Sequence, residues 1–293
     1  MKTNPIIKIE NLQHIYNVGS VFEKKALDDI NIEISAGEMV ALIGHTGSGK
    51  STLIQHLNAL LKPTSGHVYI NGEDIHADKK NLKAIRQQVG LVFQYPEHQL
   101  FEVSVYKDVA FGPTRMGLTP EEVDSQVKAS LEAVGLSQKY YEKSPFELSG
   151  GQKRRAAIAG ILAMRPSILI LDEPAAGLDP HGREEILSQI KHMHTSLGLT
   201  VILVSHSMDD AARLSERVLV MNQGRLICEG TPAQVFARGE MLTGIGLDVP
   251  QISHLMLRMK KENPSISAEI FSVDAAAKAI LALAQTPKKD IKQ

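Results

Sequence analysis

The segment Gly44-His45-Thr46-Gly47-Ser48-Gly49-Lys50-Ser51 constrains this chain more than any other feature. It fits the spacing G-x-x-x-x-G-K-[ST] and lies between two periodic runs. Before it, Met39-Val40-Ala41-Leu42-Ile43 is continuously apolar, the pattern of a strand buried on both faces. After it, Leu53, Leu57 and Leu60 recur at helical spacing. A strand, a glycine-rich loop and a helix in that order predict a phosphate cradle. Glycines let successive backbone N–H groups curl round anionic oxygens, and the helix presents its positive end to the same anion. Lys50 is placed to contact β- and γ-phosphates, and the Ser51 hydroxyl to ligate Mg²⁺. Thr52 completes the predicted nucleotide-binding run.

The rest of the pattern is α/β. Residues 6–9, 30–34 and 67–70 read as strands, with Asn71-Gly72 as a tight turn. Residues 62–66 are expected to end the first helix. A helix is expected over 121–134, with Thr119 as cap and Pro120 in its first position. Another is expected over 152–164. Residues 168–171 and 201–204 are the strongest later strands, and a helix over 182–197 joins them into a parallel crossover. The tail after Ala237 reads as a soft linker, 239–250, then amphipathic helices over 251–261 and 273–284.

Composition removes several function classes. Lys and Arg number 32 against 33 Asp and Glu, a formal net charge of −1 that gives no polyanion-binding footprint. The longest nearly continuous apolar run, 156–164, is nine residues, where a spanning helix needs about 20. The first residues lack the apolar core of a secretory signal. The single cysteine, Cys228, fits a reducing compartment.

Three further places carry chemistry. Asp172 and Glu173 end a buried strand, where α/β ligand sites collect. Two adjacent carboxylates there need a cation or donors; Asp172 is assigned to the metal and Glu173 to general-base activation of water. His206 ends the next strand and is placed to contact the γ-phosphate. Leu148-Ser149-Gly150-Gly151-Gln152 is a second capped, glycine-rich helix start. By contrast Lys153-Arg154-Arg155 reads as a solvated or phosphate-proximal face, and His192-Met193-His194 lacks the remaining ligands of a metal site.

Over residues 6–235 these motifs, in this order, resemble the ATP-binding cassette family. The resemblance implies a P-loop ATPase with a RecA-like core, an antiparallel β subdomain and a helical subdomain (about 96–165), together spanning 1–237. A small α-rich extension, 238–293, follows as a dimerisation element. It also implies ATP and Mg²⁺ as ligands. Leu148–Gln152 becomes the signature that closes over ATP held by an opposite subunit, so the working unit is a dimer. Gln94 matches the Q-loop glutamine that reaches Mg²⁺, Tyr16 the aromatic that stacks on adenine, and Gly177-Leu178-Asp179 the D-loop.

The segment from Tyr95 to Phe101, with Val105 to Pro113 and Asp209-Asp210-Ala211-Ala212, resembles the ATPases of energy-coupling factor (ECF) transporters, leaning toward the second of their two ATPases. Such ATPases drive uptake of vitamins or transition-metal ions through a transmembrane scaffold and a substrate-binding membrane protein, at the cytoplasmic face. Glu97, Gln99, Leu100 and Phe101 would then line a groove for the scaffold, and the second ATPase would be related or identical. The alternative is a soluble cassette ATPase in translation or DNA repair. Those proteins usually carry paired cassettes or long coiled-coil insertions, which this sequence lacks. The signature argues against a metabolite phosphotransferase.

Overall fold

Two sheets organise the computed structural model, which describes residues 5–77, 82–264, 266–267, 270–271 and 273–285. The first is antiparallel. β1 (Ile7–Tyr16) pairs with β2 (Lys24–Ile34) on one side and β4 (Ser65–Ile70) on the other, with β5 (Glu73–Asp74) at the edge. Ile7, Ile9, Leu12 and His14 face the core, and a register shift near Asn11, at φ 47°, bends the strand. Asn71 and Gly72, at φ 51° and 82°, make the expected two-residue turn.

The second sheet runs β10-β9-β3-β8-β7-β6. β3 is Met39–Ile43, β6 Val89–Val92, β7 Ile168–Asp172, β8 Thr200–Val204, β9 Arg217–Asn222 and β10 Arg225–Gly230. All neighbours are parallel except β9 and β10. This order sets up the site. The carboxyl ends of β3, β8, β7 and β6 stand side by side, so the loops leaving them emerge in one row.

One sheet face, with Val40, Leu42, Ile170 and Ile202, packs on the antiparallel sheet and on α1 (Lys50–Leu57). The opposite face, with Met39, Leu169, Leu171 and Leu203, packs on a helical layer. That layer contains α3 (Val105–Met116), α4 (Pro120–Ala133), α5 (Gly150–Leu162) and α6 (Pro180–Leu197); α2 (Leu82–Gln88) precedes β6. α4 starts as expected: Thr119 and Glu122 form a reciprocal cap, worth about 1 kcal/mol.

Two expectations are corrected. α1 stops at Leu57, not at the 62–66 segment, because Ala59 turns to φ 52°; Leu60 therefore leaves the apolar face and is 43% exposed. The expected linker at 239–250 is folded and packed. α7 (Met208–Leu214) and α8 (Pro232–Phe236) form a third cluster with Val218 and Val220, and α9 (Gly239–Gly244) joins it through Leu242, followed by Leu247 and Val249. The two tail helices are present as α10 (Gln251–Glu262) and α11 (Val273–Gln285), joined through Met256, Ile266 and Ala276. Among the described residues no helix is long and apolar enough to cross a membrane.

Three histidines meet beneath the antiparallel sheet. His56, fully buried on α1, donates from Nδ1 to the Thr52 carbonyl (2.7 Å), and its Nε2 lies 3.2 Å from His14 Nδ1. The His76 ring is 6.4 Å away. Burial, with His14 and His76 facing it, lowers the His56 pKa to about 4 from 6.5. The unfolded chain takes up this proton below 6.5 and the folded chain resists until about 4, so stability falls as pH drops through that window. The gap corresponds to about 3 kcal/mol. Urea unfolding at pH 7.5 and 4.5 should show a smaller acid loss in His56→Gln than in the wild type; equal losses would acquit His56.

Candidate nucleotide site

The loop between β3 and α1 is built around glycines that tolerate no side chain. A Cβ on Gly44 would lie 2.5 Å from the Met221 carbonyl, and one on Gly49, at φ 105°, 2.7 Å from the Ala26 carbonyl. α1 begins at Lys50 with no side-chain cap, so its first N–H groups are available to an anion. Lys50 is 6% exposed, and its ammonium donates to the Gly44 and His45 carbonyls at 2.6 and 3.1 Å.

A cavity of about 600 Å³ opens over this loop. It brings together most of the predicted residues: Tyr16, Thr46, Gly47, Gly49, Lys50, Ser51 and Thr52 from the cradle side, with Gln94, Asp172, Glu173 and His206 opposite. Gly44, His45 and Ser48 lie under the loop instead. The His45 ring bridges the Thr46 carbonyl and Asn222 Oδ1 (2.6 and 2.7 Å), and Ser48 Oγ is buried without a hydrogen bond. Tyr16 is held by Thr52 Oγ1 at 3.2 Å and by the edge of the His14 ring, 4.4 Å between centroids.

The carboxylates differ in environment. Burial raises the Asp172 pKa, while Lys50 and a hydrogen bond from Ser51 hold it down. Glu173 sits at φ 53°. Burial first, then the Asp172 charge, push its pKa up to about 7, against the pull of Lys50 and Arg183. Its Oε1 lies 3.0 Å from His206 Nε2 but makes no hydrogen bond. Burial, Lys50 and His45 lower the His206 pKa. The Ser51 hydroxyl and Asp172 carboxylate form a hard oxygen pair beside the cradle, a donor set that fits Mg²⁺.

The sequence reading missed two walls. Lys24, Lys25 and Ala26 of β2 line one end, and the Gln223-Gly224 turn lines another. β2 is tied to that turn by the Asp28 amide on the Gly224 carbonyl, 2.9 Å. Gln223 and Gly224 take positive φ in a tight turn, which the Asn222-Gln223-Gly224 run signals in the sequence; the approach of β2 has no such signal.

Leu148–Gln152 lines no part of this cavity. Ser149 caps α5, its Oγ accepting from the Gln152 amide at 3.4 Å while Gln152 Oε1 accepts from the Ser149 amide at 3.0 Å. Open space surrounds Gly150 and Gly151. Asp179 caps α6 through the Gly182 amide, 2.9 Å, after Gly177 at φ 73° and Leu178, which packs on the helical layer.

A second cavity, about 570 Å³, is lined by Gln99, Leu100, Phe101 and Phe111. Glu97, expected beside them, is absent from its lining. Its carboxylate turns inward to Arg154, with contacts of 3.0 and 2.6 Å. The expected solvated triplet is corrected in the same way: Arg154 is 1% exposed, and Arg155 pairs with Glu185 at 2.8 Å.

Known proteins match this chain in sequence and in fold. The family model described as "ABC transporter" matches residues 27–176. The energy-coupling factor transporter ATP-binding protein EcfA2 of Clostridium tetani is 55% identical over 276 residues, 94% of this chain and 96% of that protein. The solved structure of cbiO1 from Clostridium perfringens, described as part of the ABC transporter complex cbiONQ, superposes with a TM-score of 0.75. It is 41% identical and covers 87% of this chain and all of that one. The ATP-binding cassette MJ0796, solved as a dimer in a post-hydrolysis state with ADP and Pi, gives 0.69 at 31% identity, covering 77% of this chain and 98% of that one. With matches of this extent on both sequence and fold, the chain belongs to the ABC transporter family of ATP-binding proteins, in the branch of the energy-coupling factor transporter ATPases.

Proposed function

We propose that the chain is the ATP-hydrolysing subunit of an ECF-type uptake transporter, working at the cytoplasmic face of a membrane. Its substrates would be vitamins or transition-metal ions, received through a transmembrane scaffold and a substrate-binding membrane protein. No nucleic acid takes part. The observation that carries this reading is a separation within one chain: the phosphate cradle forms a cavity to which the 148–152 segment contributes nothing. Two cassettes placed head to tail, this chain with a related or identical one, supply each cavity with the other's signature.

In that site Tyr16 stacks on adenine, and the loop amides with Lys50 bind the phosphates. Ser51, Asp172 and Gln94 would hold Mg²⁺, which neutralises phosphate charge when bound. Glu173 takes the proton of the attacking water, and His206 steers the γ-phosphate. Gly177–Asp179 reports across the dimer. Binding energy from two nucleotides becomes a change of shape. Residues 1–237 act as the cassette, with 96–165 as its helical subdomain. Residues 238–293 act as a dimerisation element, since Leu255 and Leu281 lie exposed on the paired tail helices.

Detergent co-purification with mass spectrometry tests the assignment: a scaffold and a substrate-binding membrane protein are expected, and ribosomal or DNA-repair proteins would overturn it. The groove carries its own prediction. Phe101 is 60% exposed and stacks edge-on to Phe111, 5.2 Å between centroids, an exposed aromatic pair suited to a partner helix. Replacing Gln99 and Phe101 together with Ala should cut recovery of membrane partners about tenfold while leaving nucleotide affinity within about twofold. Normal assembly and transport would remove the groove assignment.

A further inference from the structure

Arg154 is the largest fully buried side chain among the described residues. Its guanidinium commits four of its five N–H protons. Nε and Nη2 donate to the two Glu97 carboxylate oxygens at 3.0 and 2.6 Å. Nη1 donates to the Pro174 and Ala176 carbonyls at 3.0 and 2.8 Å. A buried cation survives only where such donors are matched.

The acceptors come from two separate parts of the chain. Glu97 belongs to the 3-10 turn Pro96–Gln99, and the residues just after it, Gln99 to Phe101, line the groove. Pro174 adjoins Glu173, whose left-handed backbone is fixed by its amide on the Val204 carbonyl, 3.0 Å. Ala176 adjoins Gly177. Tyr95, also left-handed at φ 56°, adds a third contact. Its ring centroid lies 5.9 Å from the guanidinium carbon, and a Cβ on Gly177 would lie 3.3 Å from its Cε1. One planar group thus joins the groove wall to the strand end that carries the candidate base.

We propose that Arg154 is a positioning residue: it passes the placement of the Pro96–Gln99 turn, set by what occupies the groove, to the backbone of Glu173 and of the 177–179 segment. The groove half of this rests on the transporter reading; the hold on Pro174 and Ala176 does not. Lysine cannot replace the residue, because a single ammonium cannot grip a carboxylate bidentately and reach two carbonyls behind it.

The test uses the co-purified complex. Arg154→Lys keeps the charge and loses the fork. Its kcat for ATP should fall about 10–100-fold with KM for MgATP within about twofold, because the base is displaced while the cradle is untouched. Glu97→Gln, nearly isosteric and safe if the lysine variant fails to fold, should lower the same parameter less. The double variant should lose no more than Arg154→Lys alone, since both act along one linkage. Wild-type kcat in both variants overturns the proposal, as do additive losses or a loss expressed in KM. Melting temperature is read alongside; a variant that melts earlier yet keeps its kcat per bound nucleotide shows a purely structural arginine, which also overturns it. If no membrane protein co-purifies with the wild type, the transporter reading fails. The kcat–KM split on the isolated chain then decides the hold on Glu173 alone.

Discussion

Glu173→Gln lowers the hydrolysis rate at its own composite site by about 10²–10⁴-fold, the range associated with one positioned acid–base group. The substitution changes basicity and charge with almost no change of bulk. ATP affinity should therefore stay within about threefold, a difference below 1 kcal/mol. The environment supports this carboxylate over its neighbour as the proposed base. Burial raises the pKa of Asp172, but the Lys50 ammonium and the Ser51 hydroxyl pull it back toward its anion. Glu173 is buried beside that anion, and its pKa is raised to about 7. A base whose proton affinity matches the working pH both accepts a proton from water and gives it up again. Single-turnover hydrolysis with radiolabelled ATP measures the step directly, and an unimpaired rate would remove Glu173 from the role.

Lys50→Ala should weaken ATP binding about 10–100-fold, since a charge-assisted hydrogen bond contributes about 1.5–3 kcal/mol. Titration calorimetry with ATP and with ADP separates two contributions. A lysine that spans β- and γ-phosphates loses more for ATP than for ADP, whereas a lysine needed only to shape the loop loses equally for both. Unchanged affinity for both nucleotides would refute the cradle assignment. Folding should survive the change. The ammonium is desolvated and hydrogen-bonded to loop carbonyls, so its removal relieves one buried charge, though it also takes a nearby cation from Asp172 and Glu173.

The sequence made the structure legible wherever a pattern lies in a short contiguous run. Met39–Ile43 is buried at every position, as its unbroken apolar pattern requires. The strand order then brings Gln94, Asp172, Glu173 and His206 to one cavity with Lys50 and Ser51. Legibility failed where a residue's environment is set by a distant segment. The partner of Arg154 is 57 residues away, so a basic triplet at a helix start looked solvated. Glu97 looked like a groove residue for the same reason. Residues 239–250 hold glycines and a proline, composition that reads as a linker; their apolar side chains fill a cluster whose other members lie on β3, β9, β10, α7 and α8. Local pattern reports which face of an element is apolar, but not what the fold places against a charge.

One detail of the cradle bears on what affinity at the proposed site would measure. The Lys50 ammonium donates to the Gly44 and His45 carbonyls of its own loop, which commits two of its three N–H protons. A phosphate bound at the proposed site would meet a donor already shared with the loop. Nucleotide affinity at the proposed site would then be the difference between two sets of bonds, not the strength of one.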